Sequence, residues 1–139
     1  MLSEEGYSLM GAAFEVYNQL GYGLAEEIYH QSLEIELELR GIQYFTKSEL
    51  VVRYKGRELL TRYKPDFLVF NAIVVEIKAV SDLIPEHEAQ IFNYMRIARQ
   101  PVGYLINFGR KSGIQSKRFV LSDLHNANTP PPSSNGNLS

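Results

Sequence analysis

The sequence predicts an α/β fold, with helices packed around a mixed central sheet, and three observations carry that prediction. Two successive stretches with three- and four-residue apolar spacing open the chain. Short β-branched and alternating segments separated by turn residues follow them. A third helical stretch then precedes a last strongly apolar run, so the order is helix, helix, three or four strands, helix, strand.

The first helix runs from Glu4 to Leu20, with Ser3 as its N-cap and Glu4 and Glu5 in the turn where the helix dipole favours acids. Met10, Ala13, Phe14 and Tyr17 form its apolar face, and Gly21-Tyr22-Gly23 ends it. The second helix spans Leu24 to Arg40 and stops at Gly41. At 100° per residue Tyr29, Leu33 and Leu37 form one stripe and Ile28, Ile35 and Leu39 another, while Glu27, Glu34 and Glu38 face solvent. Glu26 falls on the Tyr29 stripe. Periodicity supports equally an acid that satisfies the helix N-terminus and one aimed at the core.

Residues 44–54 alternate like a half-exposed strand, and Lys55-Gly56 turns the chain into a strand near Arg57 to Tyr63. The strands carrying Asp66 and Glu76 come next, making three or four consecutive antiparallel strands, a meander. A helix opens at Pro85 and runs to about Arg99, its apolar arc holding Ile91, Tyr94, Met95 and Ala98 together with His87 and Gln90. A glutamine on such an arc needs a partner, and capping a strand end would serve as well as a place in a site. A buried strand from Val102 to Phe108 and a short one around Arg118 to Leu121 complete a single domain, residues 1–125. The Pro-, Ser- and Asn-rich tail, 126–139, reads as disordered. There is no internal repeat.

At 139 residues the chain can bury a real core. Cysteine is absent, which excludes disulfides and thiolate metal sites. The acidic start lacks the pattern of a signal peptide, and no apolar stretch approaches the roughly 20 residues of a membrane span, so a soluble, cytoplasmic protein with no membrane partner is expected. Net charge is −2, but residues 1–39 hold eight acids and no Lys or Arg, whereas residues 40–139 hold eight acids and fourteen bases. Six of those bases (Lys47, Arg53, Lys55, Arg57, Arg62, Lys64) lead up to Asp66. On charge alone a solvated hairpin face explains them better than a phosphate-contacting ridge.

The informative stretch is Tyr63 to Val80 (YKPDFLVFNAIVVEIKAV). Its second strand is apolar enough to be buried on both faces, yet carries Glu76 and Lys78, which share one face because side chains alternate. Asp66 precedes the partner strand. Such charges are costly in a core unless paired or metal-bound. If Asp66, Glu76 and Glu26 converge, three carboxylates without clustered Cys or His make an oxygen-only site suited to Mg²⁺ or Mn²⁺, and a lysine beside it holds a phosphate oxygen or polarises a water. A two-residue turn at Asn71-Ala72 would put Asp66 on the wrong face. A three-residue loop, a bulge, or an Asp66 just outside the ladder is therefore expected.

Pro65-Asp66, nine residues, Glu76, any residue, Lys78 resembles the signature of the PD-(D/E)XK nuclease superfamily. Gly23-x-x-Glu26-x-x-Tyr29 is similar to the motif that names the GxxExxY family within it. The likeness extends through VVEIKAV, HEAQIFNYMR and GYLINFG, over about residues 5–110, and Gln90-x-x-x-Tyr94 resembles a motif of RecB-like members. This resemblance implies a restriction-endonuclease-like α-β-β-β-α-β core. It implies Asp66, Glu76 and Glu26 as metal ligands, Lys78 as the catalytic lysine, and Gln90 and Tyr94 lining the site. Some RecB-like nucleases add a histidine ligand on the first helix. The first histidine here is His30, which implies a single metal site.

The expected activity is Mg²⁺-dependent hydrolysis of phosphodiester bonds, in DNA rather than RNA, with a homodimer or a partner protein supplying specificity. The alternatives are a non-catalytic nucleic-acid-binding or regulatory protein that keeps the fold, and a protein-interaction module with a vestigial metal site.

Overall fold

A computed structural model describes residues 1–121. The expected tail, 126–139, and the end of the expected domain lie outside the described residues. Helices α1 (Ser3–Leu20) and α2 (Glu26–Leu39) open the chain. Five strands form the central sheet: β1 (Tyr44–Thr46), β4 (Phe67–Val69), β5 (Ile73–Lys78), β6 (Val102–Asn107) and β7 (Gln115–Val120), in that spatial order. Only β5 and β6 run parallel, because α3 (Pro85–Ala98) forms the crossover between them. The mixed sheet and its flanking helices match the predicted fold class.

The expected meander does not form. Residues 44–54 break at Lys47, whose φ of 50° lies in the left-handed region and whose amide donates to the Pro65 carbonyl at 3.0 Å. The part before the break, β1, pairs with β4. The part after it, β2 (Leu50–Tyr54), leaves the sheet and pairs only with β3 (Arg57–Tyr63) as a separate hairpin.

Alternation divides the core. Phe67, Val69, Val75, Ile77 and Ile106 pack on one sheet face against Leu9, Ala12, Ala13 and Val16 of α1 and Tyr29, Leu33 and Leu37 of α2. Val74 and Leu105 pack on the other face against Ile91 and Met95 of α3. The α2 stripe is the expected one, whereas Ile28, Ile35 and Leu39 stay exposed. On α1 the buried face is Leu9, Ala12, Ala13 and Val16, and Phe14 points to solvent. Small alanines let the helix lie close to the sheet, so the packed face is not the one with the largest side chains. Ser3 is no cap either. It lies inside the helix, the residue before it is Leu2 with φ 55°, and no side chain caps the N-terminus.

On the far side α3 rides close over β6 because Gly103 has no side chain: a Cβ there would come within 2.5 Å of Met95 Sδ. Among the described residues no helix is long and apolar enough to cross a membrane.

Candidate active site

The turn between β4 and β5 sets the site. The register pairs Phe67 with Val75 and Val69 with Ile73, leaving a three-residue loop, Phe70-Asn71-Ala72, with Phe70 and Asn71 at positive φ. Continuing that register sets Asp66 opposite Glu76, just beyond the ladder, as the sequence required. Alternation then puts Glu76 and Lys78 on the face of Val74, toward α3.

The two acids hold each other in place. The Asp66 amide donates to Glu76 Oε2 at 3.0 Å, and the amide of Ile77 donates to Asp66 Oδ2 at 2.8 Å. Tyr63, at the end of β3, donates its hydroxyl to the same Glu76 Oε2 at 2.9 Å. The second oxygen of each carboxylate makes no hydrogen bond among the described residues. Glu76 is 8 % exposed. Burial, and next the negative charge of Asp66, push its carboxyl up to about 8, against the hydrogen bonds from Asp66 and Tyr63 and the charge of Lys78. Glu76 thus favours its protonated form more than an ordinary carboxylate does, and a cation binding there would compete with that proton.

Around this pair stand residues from three other elements. Lys78 Nζ donates to Gln90 Oε1 of α3 at 3.3 Å. Tyr94, one helical turn after Gln90, stacks on Tyr63 with ring centroids 3.7 Å apart. Burial and the charge of Glu76 raise both tyrosine hydroxyls above their ordinary range. His87 caps α3, its Nδ1 accepting the Ile84 amide at 3.2 Å. Glu26 is the first residue of α2, on the opposite side of the sheet, and its side chain is exposed at the rim. Partial desolvation and the charge of Asp66 raise its carboxyl, while Lys78 and His30 oppose the rise, so it senses Asp66 and Lys78 from the rim. Among the described residues no three His, Asp or Glu side chains gather closely enough to cage a metal unaided. Two neighbouring carboxylates with open oxygens fit Mg²⁺, which keeps several waters and needs only one or two carboxylates before substrate oxygens join it.

Two contributors escaped the sequence reading. In the sequence Tyr63 stands only as the end of the strand from Arg57 and the start of the stretch to Val80. His30 is 3 % exposed, stacks on Phe67 at 4.4 Å, and sets Nε2 3.3 Å from the Asp66 carbonyl, with Nδ1 3.1 Å from Glu34 Oε2. It steadies the backbone of Asp66. Tyr29 is structural: its hydroxyl donates to the Gly21 carbonyl at 2.6 Å, accepts the Leu24 amide at 3.2 Å, and so fixes where α2 begins and where Glu26 sits.

Behind the site, Asn107 is fully buried and saturated. It accepts from the Val80 and Gly109 amides at 3.0 Å each and donates to the Val80 carbonyl at 2.8 Å and Gln115 Oε1 at 3.1 Å. It holds the segment leaving Lys78. Gly109 is obligatory there, since a Cβ would lie 2.4 Å from the Val80 amide nitrogen.

Comparison with known proteins adds three findings. A family model described as the PD-(D/E)XK nuclease superfamily matches residues 3–119. The fold is similar to the crystal structure of SSO0001, with a TM-score of 0.54 and 21 % identity, covering 68 % of this chain and 48 % of that one. The chain thus spans about half the length of that protein, and the likeness is one of fold. No curated protein matches it in sequence.

Proposed function

The chain belongs to the PD-(D/E)XK nuclease superfamily, and from that premise we propose that it is a metal-dependent nuclease that hydrolyses phosphodiester bonds in DNA. The observation that carries the reading is the mutual lock of Asp66 and Glu76, with one open oxygen on each and Lys78 on the same face. A structural ion pair would satisfy its acids with the lysine. Here Lys78 turns to Gln90 instead and leaves the carboxylates open.

In this reading Asp66 and Glu76 would hold Mg²⁺, or Mn²⁺ in its place, and Glu26 at the rim would join them as a ligand only by moving inward. A cation held there would supply neutralisation of charge building on phosphorus and a lowered pKa for a water. Lys78 holds a phosphate oxygen or orients the attacking water, and Gln90 keeps its ammonium aimed. Tyr63 keeps Glu76 turned toward the site, and Tyr94 walls it. Within the superfamily we place the chain with the GxxExxY group, on Gly23, Glu26 and Tyr29.

Purified protein incubated with plasmid and single-stranded DNA tests this. Cleavage with Mg²⁺ or Mn²⁺, abolished by EDTA and by Lys78→Ala, is expected. Equal products from wild type and Lys78→Ala on every substrate would sink the proposal. A second reading, a nucleic-acid-binding protein that keeps the fold without catalysis, draws support from Glu26, which is exposed and forms no three-acid metal cluster with the pair among the described residues. DNA binding insensitive to EDTA and to Asp66→Asn, without cleavage, would favour it.

A further inference from the structure

The β2–β3 hairpin lies outside the central sheet, and the nuclease reading gives it no work beyond Tyr63. Its segment, residues 47–64, carries six bases against two acids, Glu49 and Glu58. Four of the bases are paired: Lys47 with Glu27, Arg53 and Arg62 with Glu58, and Lys64 with Glu49. Lys55 and Arg57, at the tip, have no acidic partner among the described residues. Beside them Tyr54 is 64 % exposed, with Lys55 Nζ 5.6 Å from its ring centroid. The register pairs Tyr54 with Arg57 and Leu50 with Tyr63. By alternation along β3, Arg57, Leu59, Thr61 and Tyr63 share one face, the face that reaches Glu76.

Between this face and α3 lies an open cavity of about 340 Å³. Leu59 and Ile97 give it apolar walls, the stacked Tyr63 and Tyr94 border it, Lys64 stands at its rim, and Glu76 lies at its inner end. That volume matches small ligand sites. A slot with apolar and aromatic walls, the cations Arg62 and Lys64 along it and the Glu76 carboxylate behind suits a nucleobase whose phosphate faces the acids. A base inside a duplex is stacked on both faces and must leave the stack to fill such a cavity. From the Leu50–Tyr63 pair to the Tyr54–Arg57 pair at the tip is about 13 Å at roughly 3.3 Å per residue, since β3 is irregular opposite Val52, and that is room for a few nucleotides.

We propose that the hairpin and α3 form a seat for an unpaired nucleic-acid strand, with a base in the cavity beside Glu76 and the strand continuing along β3 to the tip. There Tyr54 stacks on a base while Lys55 and Arg57 contact phosphates. The substrate class is accordingly a single strand, or an end or flap that exposes one. This rests on the nuclease reading only for which phosphate meets the acids.

The test is fluorescence anisotropy in EDTA, where no cleavage occurs. The probes are a labelled oligothymidylate of about 20 nucleotides, an oligouridylate of the same length, and a blunt duplex of the same length. The wild type and Lys78→Ala should bind single strands tighter than duplex. Stronger binding of one oligonucleotide identifies the strand as DNA or RNA. Tyr54→Ala should weaken binding about 5-fold or more. Lys55→Ala/Arg57→Ala should flatten the log–log salt slope by about 1.4, at roughly 0.7 per lost contact. These residues are at the surface, and unchanged thermal unfolding certifies each variant. Duplex bound as tightly as single strand, or both variants binding within about 2-fold of wild type, would overturn the proposal. Hairpin-dependent binding with no cleavage in Mg²⁺ would count against the nuclease reading and leave the seat standing. Cleavage that persists unchanged in both hairpin variants would remove the seat alone.

Discussion

Asp66 and Glu76 fix each other through each other's backbone: the amide of Asp66 donates to the Glu76 carboxylate, and the amide after Glu76 donates to the Asp66 carboxylate. This exchange turns both side chains toward α3 and uses one oxygen of each. The price is two acids close together in a buried place, and the raised Glu76 carboxyl is its signature.

Stability should therefore depend on pH in a defined sense. The folded-state value of Glu76, about 8, lies above the ordinary carboxylate range. Its contribution is complete below that ordinary range and is lost as pH rises through about 8, on the order of a few kcal/mol. Thermal unfolding of metal-free protein should show Tm falling between about pH 5 and pH 9 more steeply than in Glu76→Gln, which cannot titrate. Millimolar Mg²⁺ should restore Tm at the alkaline end in wild type only. Parallel pH profiles for the two proteins would refute this.

Tyr63→Phe removes one of the two hydrogen bonds to Glu76 Oε2 and no packing volume. The variant should fold, lose about 1 kcal/mol, and shift the pH–Tm transition further alkaline, because a donor that favoured the ionised carboxylate is gone. In the cleavage assay kcat should fall about 10-fold with little change in KM, the mark of a positioning residue. An unmoved pH transition would mean that the hydroxyl does not tune Glu76.

Asn107→Ala breaks four hydrogen bonds and leaves the half-buried Val80 and Gly109 backbone groups without their side-chain partner. The expected loss is about 2–4 kcal/mol in urea unfolding. Amide exchange at Val80 and Gly109 should accelerate by more than at β7.

Two glycines should respond unequally to alanine. At Gly109 the added carbon meets backbone, 2.4 Å from the Val80 nitrogen, and neither strand end can yield. At Gly103 it meets the flexible Met95 side chain, 2.5 Å from Sδ, which can rotate away. Gly109→Ala should cost about 3 kcal/mol or more and Gly103→Ala about 1 kcal/mol, measured by denaturant midpoints. A reversed order would overturn this account of the two close approaches.

Much of the site was legible because β-strand alternation is strict. The two-residue spacing of Glu76 and Lys78 gave their common face, and the need for Asp66 to share it demanded the three-residue loop that the register contains. Gln90 and Tyr94 were legible as polar and aromatic residues on an otherwise apolar arc, and one bonds Lys78 while the other lines the cavity beside Glu76. Tyr63 and His30 were not, since nothing local tells a buried aromatic ring from one whose polar edge holds a carboxylate or a carbonyl.

By itself the sequence determined the type and order of the elements, the α2 stripe that is buried, and the face that carries the acids, all set by periodicities of a few residues. The tertiary structure decided three other things. It chose the alanine-lined face of α1 over the one with Phe14, split residues 44–54 between two sheets, and left Glu26 at the rim while drawing Tyr63 in. Those outcomes depend on which apolar surfaces are near enough to cover one another. A sheet face can cover only one stripe of each helix laid on it, and that competition is settled only when the whole chain is packed.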